Sequence, residues 1–205
     1  MSTARAEAFS DGVFAIAITL LVLEVHVPQP GSGSLAHELG AQWPSYAAYV
    51  ISFMTIGIIW INHHVMFRRL RTIDHGILIW NLLLLMCVGA LPFTTALMAT
   101  YLKEGQGEIL AAAIYSGSML LMTLIFAATN YHVLVRKAGF LIDDVDEEIR
   151  HLTLRREISG ALPYLLATAL AVVSPYLTLA ICAAVAIFYA LPFARANKGS
   201  RSAIT

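Results

Sequence analysis

Charge is what this sequence has least of: Asp, Glu, Lys and Arg make up 13% of its 205 residues, against 59% hydrophobic ones. Soluble domains carry about 25% charged residues, so a chain this apolar, with a mean hydropathy of +0.73, must face lipid over much of its surface. Its formal net charge is zero, which removes the electrostatic case for nucleic acid or another polyanion as partner. Cysteine is nearly absent. Cys87 and Cys182 both sit in apolar runs, which argues against a disulfide framework or a thiolate metal site and for small core residues. Catalytic motifs are missing as well: no GxSxG, HExxH, P-loop or glycine-rich dinucleotide fingerprint occurs, so neither an enzyme nor a bound cofactor is expected. No internal repeat relates the two halves. Arg5 ahead of the apolar run 12–23 has the outline of a secretory leader. Glu7 and Asp11 break its charge pattern and no small-residue cleavage site follows, so the segment is read as part of the mature protein.

What the chain does have is long apolar runs. A helix needs about 20 such residues to cross about 30 Å of hydrocarbon, and six candidates meet this more or less fully. They occupy residues 4–27, 44–67, 76–101, 109–135, 158–174 and 176–194, which predicts a single all-α transmembrane domain over 1–205. Pro44 suits a first helical turn, and Pro92 is expected to kink the third helix. The stretch 136–157 is polar and of mixed charge, and reads as a solvated connector, at most a short surface helix. Ser174-Pro175 divides the last apolar stretch into two short helices or the two arms of a re-entrant hairpin. Both return the chain to the same side.

The basic residues are distributed unequally. Arg5, Arg68, Arg69, Arg71, Arg136, Lys137, Arg150, Arg155, Arg156, Arg195, Lys198 and Arg201 fall at one end of the predicted bundle, and Lys103 alone at the other. The positive-inside rule then puts both termini in the cytoplasm, as an even number of crossings requires.

The first helix is the least lipid-like, because Ser10, Asp11, Thr19 and Glu24 are costly against hydrocarbon. On a helical wheel Gly12, Ile16, Leu20, Leu23 and Val27 share one narrow stripe, and Asp11 projects almost opposite. Such a stripe is ordinary helix packing or the lining of a pore, and spacing alone favours packing. Trp60, Asn62, His63 and His64 on the second helix and Asn81 on the third reach the depth of Asp11. Buried polar groups need partners, so Ser10 and Asp11 are expected to join one or more of His63, His64 and Asn81. A metal site is disfavoured, since adjacent histidines point about 100° apart on a helix whereas paired ligands need a spacing of three or four. A proton relay is the functional alternative for these histidines. Glu24 and His26 read as interfacial.

The run R5-x-x-x-F9-S10-D11, continued as GVFAIAITLLVLE, resembles the motif of the prokaryotic and lysosomal potassium channel family, transmembrane protein 175. SFMTIGIIWINHHVMF in the second helix and the six-helix layout strengthen the likeness, which covers at least residues 1–102. Vertebrate members carry two such repeats per chain and pair as dimers. One repeat here therefore implies a homotetramer with four copies of helix one around an axis, in a bacterial inner membrane. The family's pore is lined by this helix and narrowed by bulky apolar side chains, a role the resemblance places on Ile16, Leu20 and Leu23, with Thr19 beside them. Arg5, Phe9, Ser10 and Asp11 become the lock that packs helix one, through Trp60, His63, His64 or Asn81. Combined with the wheel, this turns the stripe from packing to pore.

The implied function is a weakly selective, potassium-permeable leak of monovalent cations through a hydrophobic constriction. The TVGYG carbonyl filter is absent, so selectivity would rest on the cheaper partial dehydration of potassium compared with sodium. The rival is a proton-coupled transporter or proton pathway using Asp11, His63 and His64, against which stands the lack of an inverted repeat. A third class is a membrane scaffold or sensor without flux, binding a partner through the acidic residues 143–148.

Overall fold

The computed structural model describes residues 3–29, 34–142 and 147–201. It is all-helical, and among the described residues the one β-type contact is an antiparallel bridge between Leu70 and Leu141. The helices are α1 (Thr3–Leu20), a short α2 (Leu35–Ala41), α3 (Trp43–Arg68), α4 (His75–Tyr101), α5 (Glu108–Tyr131), α6 (Glu147–Leu170) and α7 (Pro175–Arg201). A tightened 3₁₀ turn, Leu21–Glu24, extends α1. Together they span about 35 Å, enough to cross hydrocarbon. Among the described residues four helices are long and apolar enough to cross a membrane: α1 with its extension, α3, α4, and α5 with its terminal turn. The apolar part of α7, Pro175–Leu191, is shorter.

Local chemistry sets the ends. Pro44 lies in the first turn of α3, where its missing N–H costs nothing. Asp74 caps α4, its carboxylate accepting the Ile77 amide at 2.9 Å. Gly107 opens α5 at φ +83°, and a Cβ there would meet the Tyr101 ring at 3.0 Å. At its far end α5 widens into a π turn, His132–Arg136, closed by the Lys137 amide donating to the His132 carbonyl.

Two regions depart from the sequence expectation. The loop after the first helix contains α2, whose exposed Leu35 and Leu39 lie too close to Pro28, Pro30 and the four glycines and serines at 31–34 to stand out as a periodic segment. The connector expected over 136–157 is largely helix, since α6 begins at Glu147 rather than Ile158. Charge does not oppose helix, and Glu147 and Glu148 in the first turn favour it through the helix dipole. The acidic residues 143–146 lie outside the described residues.

The main core gathers Leu84, Val88, Leu91, Tyr115, Met119 and Ala167 among others from the packed helices. Inside it Ser52 bonds Thr95 at 2.8 Å and Tyr115 at 3.1 Å, linking α3, α4 and α5 as interhelical hydroxyls do where water is absent. Cys87 and Cys182 are buried free thiols. A smaller core built on Met66, Phe67, Ile77, Val133 and Leu134 lies at one end. There the Arg71 amide donates to the Phe140 carbonyl and the Ile142 amide to the Arg69 carbonyl, both at 2.8 Å. These bonds fasten the loop after α3 to the loop after α5, so two of the basic segments share one end of the bundle. At the opposite end Lys103 donates to the Ala41 carbonyl and lies over the Trp43 ring, which stacks on Tyr176.

Candidate functional site: the two faces of helix α1

Helix α1 turns one face inward and the other out. Ser10, Phe14, Ala17 and Leu21 are buried, repeating every three or four residues as one helix face must. About a third of a turn away Ile16, Leu20 and Leu23 are 61%, 43% and 66% exposed, with Gly12 and Thr19 also open. The stripe predicted from the wheel is thus a face of α1 that nothing among the described residues covers. Thr19 donates its hydroxyl to the Ile16 carbonyl at 2.9 Å.

The inward face is tied down by polar bonds along the basic half of the helix. Ser10 is fully buried and its hydroxyl donates to the Ala6 carbonyl at 2.8 Å. Asn81 on α4 donates Nδ2 to that same hydroxyl at 3.0 Å. Its Oδ1 faces His63 Nε2 on α3 at 2.8 Å. Since the amide is committed as donor to Ser10, Oδ1 must accept, and the proton of His63 sits on Nε2. The His63 ring lies between Phe67, at 4.4 Å, and Phe14, at 5.4 Å.

A second ladder runs alongside. Trp60 Nε1 donates to Asp11 at 2.8 Å, and His64 Nδ1 meets the Glu7 carboxylate at 2.8 Å. Glu7 and Asp11 are one turn apart on α1, as are Trp60 and His64 on α3, so two antiparallel helices match rung to rung. Trp60 and His64 also stack on one another.

The sequence reading named Ser10, Asp11, Trp60, His63, His64 and Asn81, and all six meet here. It joined Asp11 to the histidines, whereas the partner of Asp11 is Trp60. Arg5 and Phe9 are exposed and stand outside the ladder, because each is turned away from Ser10 and Glu7 on the wheel. Glu7 was missed. The signal for it was its place three and four residues before Ser10 and Asp11, on the same polar face. Among the described residues no group of three or more metal-ligating side chains occurs.

Residues 5–92, which include α1, α3 and most of α4, match the family described as endosomal/lysosomal potassium channel TMEM175. A potassium channel of Streptomyces collinus is 49% identical over 187 residues, covering 90% of each chain. The crystal structure of a lysosomal potassium-selective channel TMEM175 homolog from Chamaesiphon minutus superposes with a TM-score of 0.82 at 39% identity, covering 93% of this chain and 97% of that one. The endosomal/lysosomal proton channel TMEM175 of Homo sapiens is 37% identical over 118 residues, 53% of this chain and 23% of the human protein.

Proposed function

Since the chain belongs to the TMEM175 family, we propose that it is a potassium-permeable, weakly selective cation channel, a homotetramer whose pore is lined by the exposed stripe of α1. The observation that carries this reading is the contrast between the two faces. One is held by six buried or half-buried polar side chains, and the other offers Ile16, Leu20 and Leu23 to no partner among the described residues. A helix anchored this firmly on one side, with its opposite side bare, is suited to stand beside copies of itself around an axis. Six crossings, with α6 and α7 as the last two, leave both termini on the basic side, in the cytoplasm of a bacterial cell whose inner membrane holds the channel.

The mechanism follows from apolar side chains at a narrow point. Leucine and isoleucine supply no oxygen to replace hydration, so an ion passes only by shedding part of its water shell, and potassium does so at less cost than sodium. Three rings, each of four copies of Ile16, Leu20 or Leu23, would also gate by dewetting. The Ser10–Asn81–His63 chain and the Asp11–Trp60 and Glu7–His64 pairs fix the rotation of α1 and so keep the stripe toward the axis. Replacing Ile16 or Leu23 with alanine widens the constriction and should raise sodium permeability relative to potassium. Replacing Asp11 should weaken assembly more than it alters ion ratios. Unchanged ratios in both alanine variants remove the stripe from this account.

One observation favours a proton route as the second reading. His63 Nδ1 is buried and has no hydrogen-bond partner among the described residues, which leaves an acceptor within the polar chain. Saturable flux coupled to pH, lost on His63→Leu and indifferent to Ile16 and Leu23, would establish this reading in place of the first.

A further inference from the structure

The exposed stripe of α1 does not stop at Ile16. Phe9 lies seven residues before Ile16 and Arg5 four before Phe9, so Arg5, Phe9, Ile16 and Leu20 fall within about 60° of one another on the helix. Both added residues are open. Phe9 is 58% exposed, and Arg5 is exposed and enters no ion pair among the described residues.

Arg5 is also the one charge on this stripe between Thr3 and Leu20. The acidic residues of α1, Glu7 and Asp11, project from the opposite side, about 150–170° around the helix, where His64 and Trp60 hold them. At the basic end of the bundle the stripe therefore finishes on a guanidinium that neither carboxylate faces. The positive pole of the α1 dipole points the same way, and no acidic residue in the first turn offsets it.

We propose that four copies of Arg5 form a cationic ring at the cytoplasmic mouth, and that this ring sorts entering ions by valence, holding divalent cations back more strongly than monovalent ones. This rests on the pore reading of the stripe and adds to it a second determinant of which ions pass. Charged rings in cation channels are ordinarily acidic, so a basic one thins cations at the mouth. Repulsion scales with the charge of the ion. A potential of about one kT, modest for clustered charges, lowers the local concentration of monovalent cations about 2.7-fold and that of divalent ones about sevenfold. Arg5 lies eleven residues from Ile16, about 16 Å along the axis, which exceeds the Debye length of about 10 Å at 0.1 M salt. The ring thus acts on entry and leaves the choice between potassium and sodium to Ile16, Leu20 and Leu23.

The test is electrical, on patches excised from liposomes that hold the full-length protein. In about 0.1 M KCl, Arg5→Gln should pass about 2.7-fold more potassium current from the cytoplasmic side than the parent, and about sevenfold less Mg²⁺ on that side should halve it. Arg5→Lys should match the parent. In about 1 M KCl, where the Debye length is about 3 Å, parent and Arg5→Gln should converge. Arg5→Cys gives a second answer within one set of channels: a cationic methanethiosulfonate added from one side should restore the parent's current, and an anionic one should raise the current further. Equal current and Mg²⁺ sensitivity in parent and Arg5→Gln overturns the ring, as does a difference that persists in about 1 M KCl or an Arg5→Cys that both reagents leave unchanged. Failure of the pore reading shows itself differently. The parent would then carry no potassium current, or Leu23→Ala would keep the parent's ratio of potassium to sodium permeability, and the ring would fall with the pore.

Discussion

Replacing Asn81 with leucine keeps the volume of the side chain and removes both of its hydrogen bonds. Asn81 is 2% exposed and His63 and Ser10 are fully buried, so neither partner can turn to water. Ser10 keeps its bond to the Ala6 carbonyl and loses little. His63 is the costly partner. Its Nε2–H loses the acceptor at 2.8 Å, and its Nδ1 has none to exchange it for among the described residues. An unpaired buried donor costs about 1–3 kcal/mol, whereas interhelical hydrogen bonds in membranes average about 0.6 and reach about 1.7 kcal/mol. The complete burial of the ring argues for the upper part of the second range, about 1–2 kcal/mol. The assay is reversible unfolding in mixed micelles followed by circular dichroism, run as a double-mutant cycle with His63→Leu. The double variant has no orphaned ring nitrogen and should recover about 1 kcal/mol relative to the sum of the single ones. An Asn81→Leu variant as stable as the parent, or two costs that simply add, would refute the reasoning that this chain of bonds fixes α1.

Further expectations follow from other parts of the fold. Lys137, at 2.6 Å, and then the Ile77 amide hold the Asp74 carboxyl below the usual carboxylate range. A lowered value stabilises the folded state above about pH 4 and the benefit is lost as pH falls through it. The stability gap between parent and Asp74→Asn, measured by thermal unfolding, should therefore be present at neutral pH and close in acid; a gap that widens in acid would contradict the assignment. Gly107→Ala places a Cβ at 3.0 Å from Tyr101 on backbone of positive φ, and should cost about 1 kcal/mol or more, read from the same unfolding assay. Leu23→Ala and Ile16→Ala should each raise sodium permeability relative to potassium, measured as a shift in reversal potential under bi-ionic conditions.

The helices that carry the site were legible because apolar length is a strong signal and the breaks are chemical: Pro44 opens α3 and Arg68 ends it. The two faces of α1 were legible for a similar reason, since polar residues in an apolar helix must turn inward and the remaining stripe follows from the period of the helix. Pairing was harder to read. Whether Asp11 meets a histidine or Trp60 depends on the register of α1 against α3, which no spacing within either helix contains. Glu7 stood at the helix start, where a carboxylate is unremarkable in the first turns and its partner His64 lies on another element. The helical start of α6 was hidden by its charge, because a polarity-based reading separates lipid from water but not helix from loop.

The most direct test of the central claim is cation flux into liposomes reconstituted with the purified protein, comparing potassium and sodium gradients for the parent chain and for Leu23→Ala. Unsaturated flux with potassium ahead of sodium, and a smaller lead in the variant, is the predicted result. No flux of either ion, or a ratio that Leu23→Ala leaves unchanged, would contradict a pore lined by α1.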